Sequence, residues 1–348
     1  MIEYYNRIQR NPMKIRMKKN ILILLLLMLI GTTTLSALTI KMGSLFPEGS
    51  AWDVTLKKMA REWSDLTNGK VRMKIYPGGI AGEESDMIRK MRIGQLDAAV
   101  LTNVGMTDIV TDSLIFSLPF LVQDEEELDF VVKELLPRFD DQFREKGFEV
   151  LIWSKSGWIN FFSNSQIMTP EDLLKTRMAV SPNNPEMMEA FKALGFKIIP
   201  LGMNDTLMGL QSGMIDTFYS IPMAAAAFQW FALAPNLNPI DVTPVIGGIV
   251  ISERAWQRIP DEYHAELKAS MASVQREFVN ETDRLNQEAL RIMKDNGLQV
   301  MSPGENMEEV WRSFFKDSYS ALVGENKLIS EETYNEMNQQ LDSFRANK

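Results

Sequence analysis

Apolar and polar residues alternate strictly over 71–76 (VRMKIY), and a period of two predicts a half-buried strand. The stretch 38–43 alternates in the same way and ends in the loop 44–50. Between them, Val54, Leu56, Met59, Trp63 and Leu66 recur near helical spacing and predict a helix over 52–66, stopped by Asn68-Gly69. After a turn at Pro77-Gly-Gly, a helix over 83–93 ends at GQLD (94–97) and feeds a short buried strand over 98–101. The order then returns: a strand at 177–181, a helix at 184–194, a strand at 197–201, and a helix closed by GMID (213–216) before the apolar run 217–221. Glycine stops both helices because it enters the left-handed region cheaply. Asp97 and Asp216 are expected to bond backbone in the tight turns that follow.

Two βαβα units in one chain predict an α/β fold of two lobes facing each other across a cleft, with ligands at the carboxyl ends of the strands. The rest supports that arrangement. An acidic helix runs from Glu125 to about Lys146, and a strand at 148–153 continues into 156–162. The apolar strand 244–252 is suited to crossing back to the first lobe. Residues 254–296 read as one long helical run with no proline after Pro260, more than about 45 Å at 1.5 Å per residue and so enough to back both lobes. The tail 307–345 reads as two shorter amphipathic helices. The expected partition is 38–156 plus about 245–284 for lobe I, and 157–244 plus about 285–348 for lobe II.

The N-terminus adds a targeting segment. Lys14, Arg16, Lys18 and Lys19 precede an apolar run at 21–30 and a small-residue zone at 31–37, the pattern of an export signal cleaved near Ser36 or Ala37. An uncleaved anchor is the alternative, and translation starting at Met13 or Met17 would fit the pattern better. Losing 1–37 removes six of 37 basic and one of 46 acidic residues, leaving 31 against 45, about −14 instead of −9. So acidic an exported domain is a poor match for nucleic acid. The chain has no cysteine, which excludes disulfides, thiol catalysis and cysteine metal sites. Its one histidine, His264, lies in the long helix. No P-loop and no Gly-x-Ser-x-Gly elbow occurs, so nothing in the sequence points to an enzyme, a cofactor or a metal.

With the elements placed, six motifs in order carry a resemblance: TNGK at 67–70, GQLD at 94–97, SLPFL at 117–121, TPEDL at 169–173, FKALG at 191–195 and LQSGMID at 210–216. The chain resembles the substrate-binding P subunits of tripartite ATP-independent periplasmic (TRAP) transporters, the DctP family, over nearly everything after residue 38. The resemblance implies two lobes joined by hinge strands and spanned by a long helix. It also implies a ligand that closes the lobes, and docking on integral membrane subunits in the periplasm. Some relatives are paired with a tetratricopeptide-repeat lipoprotein. The usual ligand is an organic acid, its carboxylate held by an arginine whose fork matches it. Counting from Asp172-Leu173, that arginine's position is Ala179 here. A second family arginine falls on Ile159, and a family asparagine falls near Tyr219. Arg177 shares a strand face with Ala179 about 6.7 Å away and, with Lys155, is the alternative cation.

Without a fixed cation a buried carboxylate costs several kcal/mol. The cleft residues expected from the strand ends are Thr102 and Asn103 in the first lobe and Trp158, Ile159 and Phe161 at the crossing. Ala179, Ser181, Asn183, Met203, Phe218, Tyr219, Ser220 and Met223 come from the second. Phe162, Phe228, Trp230 and Phe231 lie close by. Such a lining suits a hydrophobic or amphipathic molecule. Burying roughly 300 Å² of it would contribute about 7 kcal/mol before association costs. Two alternatives stay open: an organic-acid receptor with a relocated cation, and a protein-interaction module on the same scaffold.

Overall fold

The two alternating stretches pair with each other. β1 (Leu38–Gly43) and β2 (Val71–Tyr76) run parallel with Leu38 opposite Val71 and Gly43 opposite Tyr76, and Arg72 and Lys74 face out. Between them α1 (Ala51–Leu66) buries Leu56, Met59 and Trp63, and Ser50 caps it by accepting from the Asp53 N–H. This computed structural model describes residues 37–182, 185–302 and 304–348. The expected export segment therefore lies outside the described residues but for Ala37, and so does Asn183. Residues Leu38–Lys348 form one compact unit.

In chain order there follow α2 (Glu84–Ile93), β3 (Ala98–Leu101), α3 (Asn103–Ile109), a 3-10 segment at Thr111–Ser117, α4 (Glu125–Glu145) and β4 (Phe148–Trp158). Then come β5 (Asn160–Ser163), α5 (Pro170–Lys175), β6 (Arg177–Val180), α6 (Pro185–Ala193), β7 (Lys197–Pro200), α7 (Thr206–Gln211), β8 (Thr217–Ser220), α8 (Pro222–Ala227) and β9 (Asn236–Asn238). The chain ends with β10 (Pro244–Ser252), α9 (Glu253–Trp256), α10 (Asp261–Asp295), β11 (Gln299–Val300), α11 (Met307–Lys316), α12 (Tyr319–Leu322) and α13 (Glu331–Ala346). They build two sheets, ordered β2-β1-β3-β10-β4 and β11-β9-β5-β8-β6-β7. This is the expected two-lobed α/β architecture.

The chain crosses between the sheets at two adjacent places. Ile159 separates β4 from β5, and its N–H donates to the Thr243 carbonyl at 2.8 Å while its own carbonyl accepts from Val242 at 3.0 Å. The return crossing at 242–243 leads into β10, which joins the first sheet antiparallel to β3 and β4, as the apolar run predicted. The β4 strand is longer than expected because Pro244 pairs with Trp158 and carries the ladder to the crossing.

The internal repeat is exact in its hydrogen bonds. Gly94 and Gly213 both have positive φ, at 75° and 67°. Asp97 accepts the Lys41 N–H through its carboxylate at 2.9 Å and donates its own N–H to the Lys41 carbonyl at 2.9 Å. Asp216 does the same with Arg177, at 3.2 Å and 2.9 Å. Each aspartate thus ties its turn to the neighbouring parallel strand, not to the turn's own backbone as expected.

The long helical run is interrupted at Pro260, which lacks the N–H a helix interior needs. Beyond it α10 continues for 35 residues, about 52 Å. It backs both sheets. The Phe278 ring lies 3.9 Å from that of Trp52 in the first core, and Met293 is buried with Phe162 and Phe218 in the second. The tail departs from expectation in having three helices. Its last, α13, does not join the second lobe: Phe344 stacks near Phe130 of α4 at 5.0 Å, Arg345 pairs with Glu127 at 2.7 Å, and the Thr333 hydroxyl donates to Asp112 at 2.7 Å. A buried Leu341–Met337 face on α13 matched to α4 accounts for this placement.

Candidate functional site

The carboxyl ends of β3, β6 and β8 converge on the crossing, and two cavities open there. They share a wall made by Asn103, Val104, Ile159, Ser181 and Tyr219. The second cavity, of about 140 Å³, is bounded by Thr102, Ala179, Met203, Phe218 and Ser220. Phe46, Trp52, Leu201 and Trp230 also line it. The first, of about 100 Å³, reaches past Phe161 to α3, α6, α11 and α12, where Leu114, Ala190, Phe191, Leu194, Phe315 and Leu322 enclose it. Among the described residues no lysine, arginine, histidine, aspartate or glutamate lines either cavity.

Ten expected site residues therefore come together, and three do not. Trp158 turns away: its indole N–H donates to Glu125 at 2.8 Å. Met223 is buried among the residues of the first core, its N–H held by Asn286 at 3.0 Å. Asn183 lies outside the described residues. The residues that the sequence missed include Phe46, Trp52 and Leu201 in the second cavity and, above all, those of the far wall of the first. The one local signal of that far wall is the spacing of Met187, Ala190, Phe191 and Leu194, an apolar helical stripe that reads as core but here faces a cavity.

The two alternative cations are engaged elsewhere. Arg177 grips Asp216 with both arms of its guanidinium, at 2.8 and 2.6 Å, on an exposed edge. That pair holds Asp216 below the ordinary carboxylate range. Lys155 holds Glu125 at 3.1 Å and also pairs with Asp129. Neither lines a cavity.

One carboxylate lies just behind the shared wall. Glu84 is buried and accepts the N–H groups of Thr102 at 2.5 Å and Gly105 at 2.9 Å, and the Thr102 hydroxyl at 3.0 Å, so it fixes the start of α3. Burial pushes its pKa up to about 7 against these bonds, with repulsion from Asp108 adding to the rise. Asp108 is itself pushed to about 6 by burial, partly offset by Arg92. An acid whose folded pKa is raised binds its proton more tightly when folded. Its stabilising protonation is complete below pH 4.5 and is lost as pH rises toward about 7. Thermal melting between pH 4.5 and 8 is therefore expected to show stability falling across this window, and Glu84→Gln to flatten most of that slope. A slope unchanged in Glu84→Gln would assign the effect to another group.

Residues 42–326 match the family described as bacterial extracellular solute-binding protein, family 7 (DctP). The chain belongs to this family. A solute-binding protein of Roseobacter denitrificans is 28% identical over 181 residues, 51% of this chain and 55% of that one, so this match spans about half the relative's length. Another, of a Sulfitobacter species, is 24% identical over 307 residues, 86% of this chain and 92% of that one. Among solved structures, the sugar acid binding protein DctPAm of Advenella mimigardefordensis, in complex with galactonate, superimposes with a TM-score of 0.81 at 18% identity, covering 88% of this chain and 98% of that one.

Family 7 membership makes the chain a solute receptor and not an enzyme, and the fold of the Advenella protein agrees with the two-lobed architecture described above. The three positions where the family resemblance expects polar carboxylate contacts, Ile159, Ala179 and Tyr219, all line the second cavity. Burial pushes the Tyr219 phenol up to about 12, so it is a neutral hydrogen-bonding group at any physiological pH. No helix among the described residues is long and apolar enough to cross a membrane.

Proposed function

We propose that this family 7 receptor captures an uncharged or amphipathic, largely apolar ligand between its lobes and delivers it to the membrane subunits of a TRAP-type transporter. On this reading residues 1–37 direct export to the periplasm, and lobe closure about Ile159 and 242–243 encloses the ligand. The observation that carries the ligand class is the lining itself: among the described residues neither cavity has a charged wall residue. A carboxylate moved there would give up its hydration without a cation to replace it, at a cost of several kcal/mol. The galactonate bound by the Advenella protein carries such a carboxylate. The relocated-cation alternative is disfavoured by the pairs that occupy Arg177 and Lys155.

Calorimetry with succinate and galactonate is accordingly expected to show no saturable binding, in the wild type or in Arg177→Ala. Tight binding of either acid that disappears in Arg177→Ala would overturn the proposal and install the relocated cation. Arg177→Ala itself should leave the melting temperature nearly unchanged, since the pair sits on an exposed edge where solvent screens it.

A further inference from the structure

The cavity beyond Phe161 starts at the same strand ends, at Val180, Ser181 and Tyr219, but extends past them, and its wall comes partly from the C-terminal helices. It adjoins the second cavity through five shared residues. Three of these carry neutral polar groups, Asn103, Ser181 and Tyr219, and two of the three have side chains open to a ligand. Tyr219 has no hydrogen bond to its hydroxyl among the described residues, and Asn103 uses its backbone carbonyl for the Thr107 hydroxyl at 2.8 Å while its side-chain amide has no partner among them. The far wall is made by Ala190, Leu194, Phe315 and Leu322, with nothing charged. A water-sized group needs on the order of 10–15 Å³ of such space, so about 100 Å³ takes roughly seven to ten methylene-sized groups.

We propose that the two cavities are one elongated site, and that its ligand is a chain-bearing amphiphile. Its apolar chain occupies the first cavity, a neutral hydrogen-bonding group meets Asn103 and Tyr219 at the junction, and the remaining body fills the second cavity. This rests on the apolar-ligand reading above and narrows it to a shape. The chain gains contact with α6, α11 and α12 together, so chain length is the property these helices select.

The test is calorimetry of the purified protein with 1-monoacylglycerols of six, eight, ten and twelve carbons. Affinity is expected to rise by about three- to fourfold for each added methylene up to about ten carbons, where the cavity is full, and to level off at twelve. In Ala190→Phe, and separately in Leu322→Phe, the twelve-carbon compound should weaken by at least about tenfold while the six-carbon compound binds as before. A monoacylglycerol with a diazirine at its chain end should label residues within 185–194 or 315–322. Affinity that stops rising at six carbons, equal weakening at every length, or labelling confined to residues near Trp52 and Trp230 would each overturn the elongated site and leave the apolar reading standing. No binding at any length would remove both.

Discussion

Ile159→Arg is expected to abolish binding of the apolar ligand, by a factor of about one hundred or more, and to lower the melting temperature. Ile159 lines both cavities and is 7% exposed, and its backbone is held on both sides by 242–243 whatever its side chain. The substitution therefore places a guanidinium in a wall without a carboxylate to receive it. An uncompensated buried charge costs several kcal/mol. Galactonate should then restore part of the lost melting temperature, since a ligand that binds only the folded state stabilises it. Melting curves with and without galactonate read both effects. A variant as stable as the wild type, still binding the apolar ligand, would show that the cavities are not the site.

The largest loss of stability is expected from Trp311→Ala, about 3–5 kcal/mol by urea denaturation. Trp311 is fully buried, stacks on Phe161 at 5.5 Å and lies 6.2 Å from Phe315, and donates its indole N–H to the Met168 carbonyl at 3.0 Å. Truncation leaves a void and an orphaned acceptor. Since Phe161 and Phe315 line the first cavity, its wall should loosen and ligand affinity fall with stability. Trp311→Phe keeps an aromatic ring and loses the hydrogen bond, so it should cost about 1–2 kcal/mol. A loss below 1 kcal/mol in Trp311→Ala would mean that α11 contributes little to holding the second lobe together.

The alternation at 71–76, the helical spacing at 52–66 and the repeated βαβα order were sufficient to place the two sheets, because alternation and helical spacing report which residues face inward. They do not report what lies there. Phe161 and Phe162 are adjacent and equally apolar. Phe162 stacks on Phe218 at 4.9 Å in the second core, whereas Phe161 borders the first cavity. Trp158 read as a cleft residue because it precedes the crossing, but Glu125 on α4 captures its indole, a contact between positions 33 residues apart that no local pattern encodes. The C-terminal contribution was invisible for the same reason. Phe315 and Leu322 carry ordinary amphipathic spacing, and only long-range packing brings the tail over the first cavity: Trp311 and Phe315 lie on Phe161, and α13 is tied to α4 by Glu127–Arg345 and to the 3-10 segment by Asp112–Thr333. The strand-end positions at 102–103, 179–181 and 219–220 were legible because the βαβ order alone places them at the cleft.

The measurement that bears most directly on the apolar site is organic extraction of the purified protein followed by mass spectrometry of what it carried. The account predicts a stoichiometric, chain-bearing molecule without a small-acid signature. Recovery of a small organic acid at one equivalent would contradict it, and would require a cation to enter a wall that now has none among the described residues.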